Sequence, residues 1–240
     1  NLQETLSVFT KGMTDNRTSA TYVISESEET CQIPGGKVIQ VIPEEKRAWH
    51  AGVSQWRDMV NLNGVSLGIE HVNKGFIDTP DGKQRWFEYD ADQIHASGLL
   101  SQAIVEKYNI SPVNVVGHQD IAPDRKTDPG SLFPWGKLHT DYGIGAWLTQ
   151  DEQTKEAIEK YKPAEPLPSE VNLSFLSRYL KQYGYAVEET NSLTSQLGHV
   201  IKAFKSHFSQ NQNPGKCNEV PDMKDMFWIW ALTAKYKQYL

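Results

Sequence analysis

Val113-Asn-Val-Val-Gly-His118-Gln-Asp-Ile-Ala-Pro-Asp-Arg-Lys126-Thr-Asp128-Pro-Gly-Ser-Leu-Phe-Pro-Trp135 is the stretch from which the rest of the chain can be laid out. Its β-branched opening (Val113, Val115, Val116) predicts a short buried strand. Such a strand would deliver His118 at its C-terminal end, where side chains emerge into a loop-built cleft. Lys126 and Asp128 stand two residues apart, which in an extended segment puts both on one side. Pro123, Pro129 and Pro134 stiffen the connection, and Gly130 permits a turn. An imidazole and a carboxylate converging on one point form a mixed zinc-ligand set of the kind that leaves one position for water. As residue types alone, His118, Lys126 and Asp128 equally fit a capped and salt-bridged structural loop.

Two further blocks carry chemistry-bearing side chains. Arg47-Ala-Trp-His50-Ala-Gly-Val-Ser-Gln-Trp56 sets a histidine among tryptophans, a pattern suited to packing or, beside a cleft, to ring stacking on a ligand. Ser66 to Val72 alternates as a strand and puts Glu70 among apolar residues. That carboxylate is either a sheet residue paired with a nearby base or a general base whose pKa burial raises.

Taken together, Gly117–Trp135, Arg47–Trp56 and Ser66-Leu-Gly-Ile-Glu70-His-Val-Asn-Lys-Gly75 resemble the zinc amidases that cut N-acetylmuramoyl-L-alanine bonds in peptidoglycan. These enzymes share a superfamily with the animal peptidoglycan recognition proteins, and the order and spacing of the blocks are those of the AmiD-like branch. The resemblance covers roughly residues 1–148. It implies an α/β fold with a central mixed β-sheet flanked by helices, and Zn2+ as cofactor. It further implies Glu70 as general base, Lys126 as oxyanion stabiliser, His118 and Asp128 as metal ligands, and His50 and Trp49 as substrate contacts. A third ligand is expected from a histidine ending a strand upstream of Asn1. The implied partner is peptidoglycan or its muropeptides, handled by a monomer in the bacterial cell envelope, periplasmic or outer-membrane-associated. The alternative is a non-catalytic peptidoglycan-binding protein.

The bulk properties agree with a protein that handles no polyanion. With 24 basic against 30 acidic residues the net charge is −6, so there is no electrostatic footprint for nucleic acid. Two cysteines, Cys31 and Cys217, are too few for a disulfide scaffold or a cysteine-based zinc site. No apolar run reaches the length of a membrane span.

Along the chain, Leu2, Leu6 and Phe9 fall at helical spacing. Thr21–Ser25 and Lys37–Ile42 are predicted strands joined by a loop over Glu26 to Gly36, and Ala91 to Asn109 is a long helix with His95 on its surface. The amidase domain is expected over 1–150, a connector over 151–168 and a helical domain over 169–240. The boundary rests on Pro163-Ala-Glu-Pro-Leu-Pro168. Three apolar stripes follow, around Phe175–Tyr183, Leu193–Phe204 and Met226–Tyr236, and predict a small all-α three-helix domain. It is similar to the three-helix peptidoglycan-binding module. His199 and His207 are expected on helix surfaces.

Overall fold

The computed structural model describes residues 1–11, 18–27, 34–80 and 84–240. Its sheet is mixed: β1 (Tyr22–Ile24) runs antiparallel to β2 (Val38–Gln40) and parallel to β5 (Ile69–His71). All three β1 residues are buried, as a central strand requires. Two short hairpins stand apart from it, β3 (Gln55–Trp56) with β4 (Met59–Val60), and β6 (Phe76–Asp78) with β7 (Gln84–Trp86). Helix α1 (Leu2–Lys11) lays Leu2 and Phe9 against Val23 and Val72, the amphipathic contact that its spacing predicts. Helix α2 (Ala91–Tyr108) is opened by Asp90, whose carboxylate accepts from the Asp92 N–H, and closed by Asn109 in the left-handed region. Its buried Gln93 amide donates to the carbonyls of Ile24 and Val72 and so ties the helix to the ends of β1 and β5.

The segment predicted as a strand before His118 folds differently. Residues 112–114 form a 3-10 turn, Val115 is extended, and Gly117 caps a single helical turn, α3 (His118–Ile121). Pro112 favours the turn. Extended residues become a strand only where a ladder partner exists, and among the described residues neither this segment nor the outer edge of β5 has one. His118 therefore projects from a helix N-terminus, not from the end of a paired strand.

After α4 (Trp135–Tyr142) and α5 (Lys155–Glu159) come the predicted helices, α6 (Leu173–Tyr183), α7 (Ser195–Phe204) and α8 (Met223–Lys235). Asn172, Thr194 and Asp222 cap them through their side chains. The proline-rich connector separates two sequence patterns, but the apolar core crosses it. Trp56, Val113, Ala146 and Leu148 share one buried cluster with Tyr183, Tyr185, Phe208 and Trp230. At the seam, Gly184 has φ +147° and its carbonyl accepts from the Arg57 N–H at 2.7 Å. A Cβ there would lie 2.8 Å from the Trp56 ring, so only glycine lets the two parts approach this closely.

His207 corrects the expectation of a surface histidine. Helix α7 runs on into a π turn, Lys205–Ser209, in which all five residues are buried. Five consecutive buried positions exceed what one face of an α-helix can hide. His207 is 1% exposed, whereas His199 keeps an exposed imidazole and His95 stays on the surface beside Tyr142. Cys31 lies outside the described residues.

Candidate active site

The mixed sheet and α3 bring Glu70, His118, Asp128 and His50 to one cavity of about 670 Å³. Strand alternation decides the first of these. His71 turns to the face of β5 that packs on α2, half-buried, with its Nε2 2.7 Å from the Ser97 hydroxyl, so Glu70 points the other way. Burial lowers the His71 pKa to about 4 and keeps it neutral, a packing histidine and not a ligand. Glu70 is open to solvent along one side and enclosed by protein elsewhere. Burial, then the nearby Asp128 charge, raises its pKa, while His118 and Lys126 pull it down. Among the described residues no base pairs with it, which removes the salt-bridged sheet carboxylate as its role.

His118 and Asp128 meet directly, Nδ1 to Oδ2 at 3.0 Å. The other ring nitrogen, Nε2, is 3.2 Å from the Ala51 carbonyl, so both ring nitrogens face oxygens that can only accept. A neutral imidazole has one hydrogen for the two, and with it on Nε2 the Nδ1 lone pair faces a carboxylate oxygen. Two acceptors at that distance repel unless a second proton or a cation lies between them. A ligating histidine whose other N–H is held by a carbonyl is the arrangement that metal sites use to aim the ring. With the second proton on the ring, burial alone would raise the Asp128 pKa, but the hydrogen bond from His118 and the charges of His118 and Lys126 bring it below the usual carboxylate value. Both donors therefore suit a borderline divalent cation such as zinc as two of its ligands. Among the described residues no set of three His, Cys, Asp or Glu is close enough to hold a metal ion.

Lys126 is half-buried, lies close enough to influence both Glu70 and Asp128, and forms no ion pair among the described residues. His50 lines the same cavity. The Ser66 hydroxyl donates to the Leu62 carbonyl at 2.8 Å and so accepts from His50 Nε2 at 2.9 Å. That leaves Nδ1 a buried acceptor without a partner among the described residues. Burial, followed by the His118 charge, lowers the His50 pKa to about 4. Gly68 makes room for this ring, since a Cβ there would fall 2.5 Å from it. Trp49 stands outside the cavity lining, its ring covered by the Arg47 guanidinium at 4.1 Å.

Sequence reasoning passed over two residues that shape the site. Arg125 donates to the carbonyls of Ala51, at 2.6 Å, and of Val53, pinning the loop that holds His118 Nε2. Tyr89 donates to the Pro129 carbonyl at 2.8 Å and fixes the turn after Asp128. An arginine two residues after a proline and a tyrosine ahead of a helix cap give no sign of either role. Part of the cavity lining is apolar, including Ile69, Ile104, Val115 and Val116, and borders the open edge of β5.

Residues 1–131 match the family described as N-acetylmuramoyl-L-alanine amidase. The N-acetylmuramoyl-L-alanine amidase AmiD of Escherichia coli is 37% identical over 202 residues, 84% of this chain and 69% of that one. The 1,6-anhydro-N-acetylmuramyl-L-alanine amidase AmpD of Enterobacter cloacae is 39% identical over 104 residues, 43% of this chain and half of that protein. In three dimensions the chain is similar to E. coli AmiD in complex with the substrate anhydro-N-acetylmuramic acid-L-Ala-D-gamma-Glu-L-Lys. There the TM-score is 0.76 at 33% identity, over 97% of this chain and 86% of that one. It is similar also to AmpDh3 of Pseudomonas aeruginosa, with a TM-score of 0.77 at 32% identity over 96% of this chain and 87% of that one. The match thus runs through both the mixed-sheet part and the helices that follow it, and on this ground the chain belongs to the N-acetylmuramoyl-L-alanine amidase family.

Proposed function

We propose that the chain is a zinc-dependent hydrolase of the amide bond between N-acetylmuramic acid and the L-alanine of the stem peptide, acting on peptidoglycan or its muropeptides. The observation that carries this is the convergence of His118 Nδ1 and Asp128 Oδ2 beside Glu70, which pairs with no base among the described residues. His118 and Asp128 would hold the metal. When bound, zinc supplies a Lewis acid that polarises the scissile carbonyl and makes water acidic enough to attack near neutral pH. Glu70 takes the proton of the attacking water and returns one to the leaving amine, a role its raised pKa favours. Lys126 offsets the charge that develops on the carbonyl oxygen. His50, which lines the cavity, would contact the substrate.

A third ligand is proposed from a histidine that ends a strand preceding Asn1. The open edge of β5 and the apolar wall of Ile69, Val115 and Val116 support this, because together they offer a backbone ladder and a dry seat for one extended segment. The C-terminal helices would bind the wall, and the protein would act as a monomer in the periplasm or at the outer membrane. The lack of a third donor among the described residues favours a second reading, a protein that binds peptidoglycan without cutting it. Metal content by mass spectrometry, taken with turnover of purified sacculi by the full-length protein, decides between them. Stoichiometric zinc with cleavage supports the amidase; binding of sacculi with neither zinc nor cleavage gives the second reading.

A further inference from the structure

Helix α3 is a single turn, and one turn of helix does not hold itself in place. Its third residue, Asp120, is fully buried, and burying a carboxylate costs several kcal/mol unless donors surround it. Three do. The Gly117 N–H donates to Oδ2 at 2.7 Å, the Tyr185 hydroxyl to Oδ1 at 2.8 Å, and His207 Nδ1 to Oδ2 at 2.6 Å. Two of the three come from the C-terminal helical region, 65 and 87 residues away.

Neither of those side chains is free to shift. The His207 ring lies between Trp135 and Phe208, each with its centroid 3.9 Å away and nearly parallel. The π turn in which His207 sits is the irregularity that turns this residue inward from the end of α7, and such turns concentrate where function needs a side chain re-aimed. Tyr185 meets the Trp56 ring edge to face at 5.0 Å. An apolar residue would fill the place of Asp120 at less cost. A buried carboxylate with donors from three parts of the chain specifies position instead.

We propose that Asp120, Tyr185 and His207 form a clamp through which the C-terminal helices fix the orientation of α3 and, two residues before Asp120, of His118. Its metal consequence rests on the amidase reading; its mechanical consequence does not. These are positioning residues: the backbone of His118 is held by the clamp, and its ring by the Ala51 carbonyl.

The test uses the full-length protein with Tyr185→Phe, His207→Phe and His207→Asn. The first two keep the stacked rings and remove a donor, while asparagine returns an N–H near the position of Nδ1. Hydrogen exchange over 117–122 is measured without metal, and zinc affinity by competition with a chelator. Exchange in that segment should rise about tenfold in the two Phe variants and zinc affinity fall about tenfold, the low end for partners behind a metal ligand. The His207→Asn variant should recover much of both, and exchange in β1 should stay as in the wild type. Unchanged exchange over 117–122 in folded Phe variants, or equal loss in His207→Phe and His207→Asn, overturns the clamp. Should a Phe variant not fold, Asp120→Asn is read the same way. If the wild type binds no zinc, the amidase reading fails, and the exchange result still decides the clamp.

Discussion

The rings of Trp56 and Tyr185 meet edge to face with centroids 5.0 Å apart, one from the β3–β4 hairpin and one from just beyond α6. Trp56 is 2% exposed, and its indole N–H donates to the Val113 carbonyl at 3.1 Å. It therefore touches the helical region and, through Val113, the segment that leads to His118. Trp56→Ala should destabilise the protein by about 3–5 kcal/mol, the usual loss for a large buried aromatic. Denaturant unfolding measures this, and a loss below about 1 kcal/mol would mean that the seam is loosely packed.

A chain ending at Lys162 should lose stability. Removal of α6 to α8 uncovers Trp56, Val113, Ala146 and Leu148 together and takes away two of the donors to Asp120. Such a chain should aggregate or melt well below the full-length protein in calorimetry. A soluble, cooperatively folding product of equal stability would show the mixed-sheet part to be self-sufficient.

Glu70→Gln keeps the shape of the cleft and removes the base. Turnover of a soluble muropeptide should fall by about 10²–10⁴-fold, with zinc content unchanged. Lys126→Ala should slow turnover while zinc stays bound, because it removes the cation that offsets charge on the carbonyl oxygen. Near wild-type cleavage by that variant removes Lys126 from the mechanism.

Acid should weaken the joint between the connector and α8. Burial pushes the buried Glu152 carboxyl up, but hydrogen bonds from Lys235, at 2.6 Å, from Tyr161 and from the Thr149 N–H outweigh it and bring the pKa to about 2. A pKa lower in the folded than in the unfolded chain gives stability that is complete above the ordinary value of 4.5. That stability is lost as pH falls from there towards 2. Melting temperature should therefore drop over that window, and the drop should be smaller in Glu152→Gln. An identical pH profile in the variant would assign the acid sensitivity elsewhere.

Local chemistry was legible in the sequence where local rules govern it. The period-2 alternation of Ser66 to Val72 separates Glu70 from His71, and helical spacing places the three C-terminal helices. What escaped depended on partners distant in sequence. Val113 to Val116 has strand composition, yet a strand needs a neighbour that the described residues lack. His207 sits in a stretch whose helical spacing reads as surface, and a π turn changes which way it points. Arg125 acts through backbone carbonyls 72 and 74 positions away, which no motif records.

The proline-rich connector looks like a hinge and does not behave as one. The Trp230 indole N–H donates to the Glu165 carbonyl at 2.8 Å, and the Arg178 guanidinium reaches the Glu165 carboxylate at 2.7 Å. A stiff, tethered strap of this kind gives a protease little to grip and gives recombination no clean joint. A helical cassette borrowed from a relative would have to bring its own equivalents of Tyr185 and His207, or leave α3 and His118 without their footing.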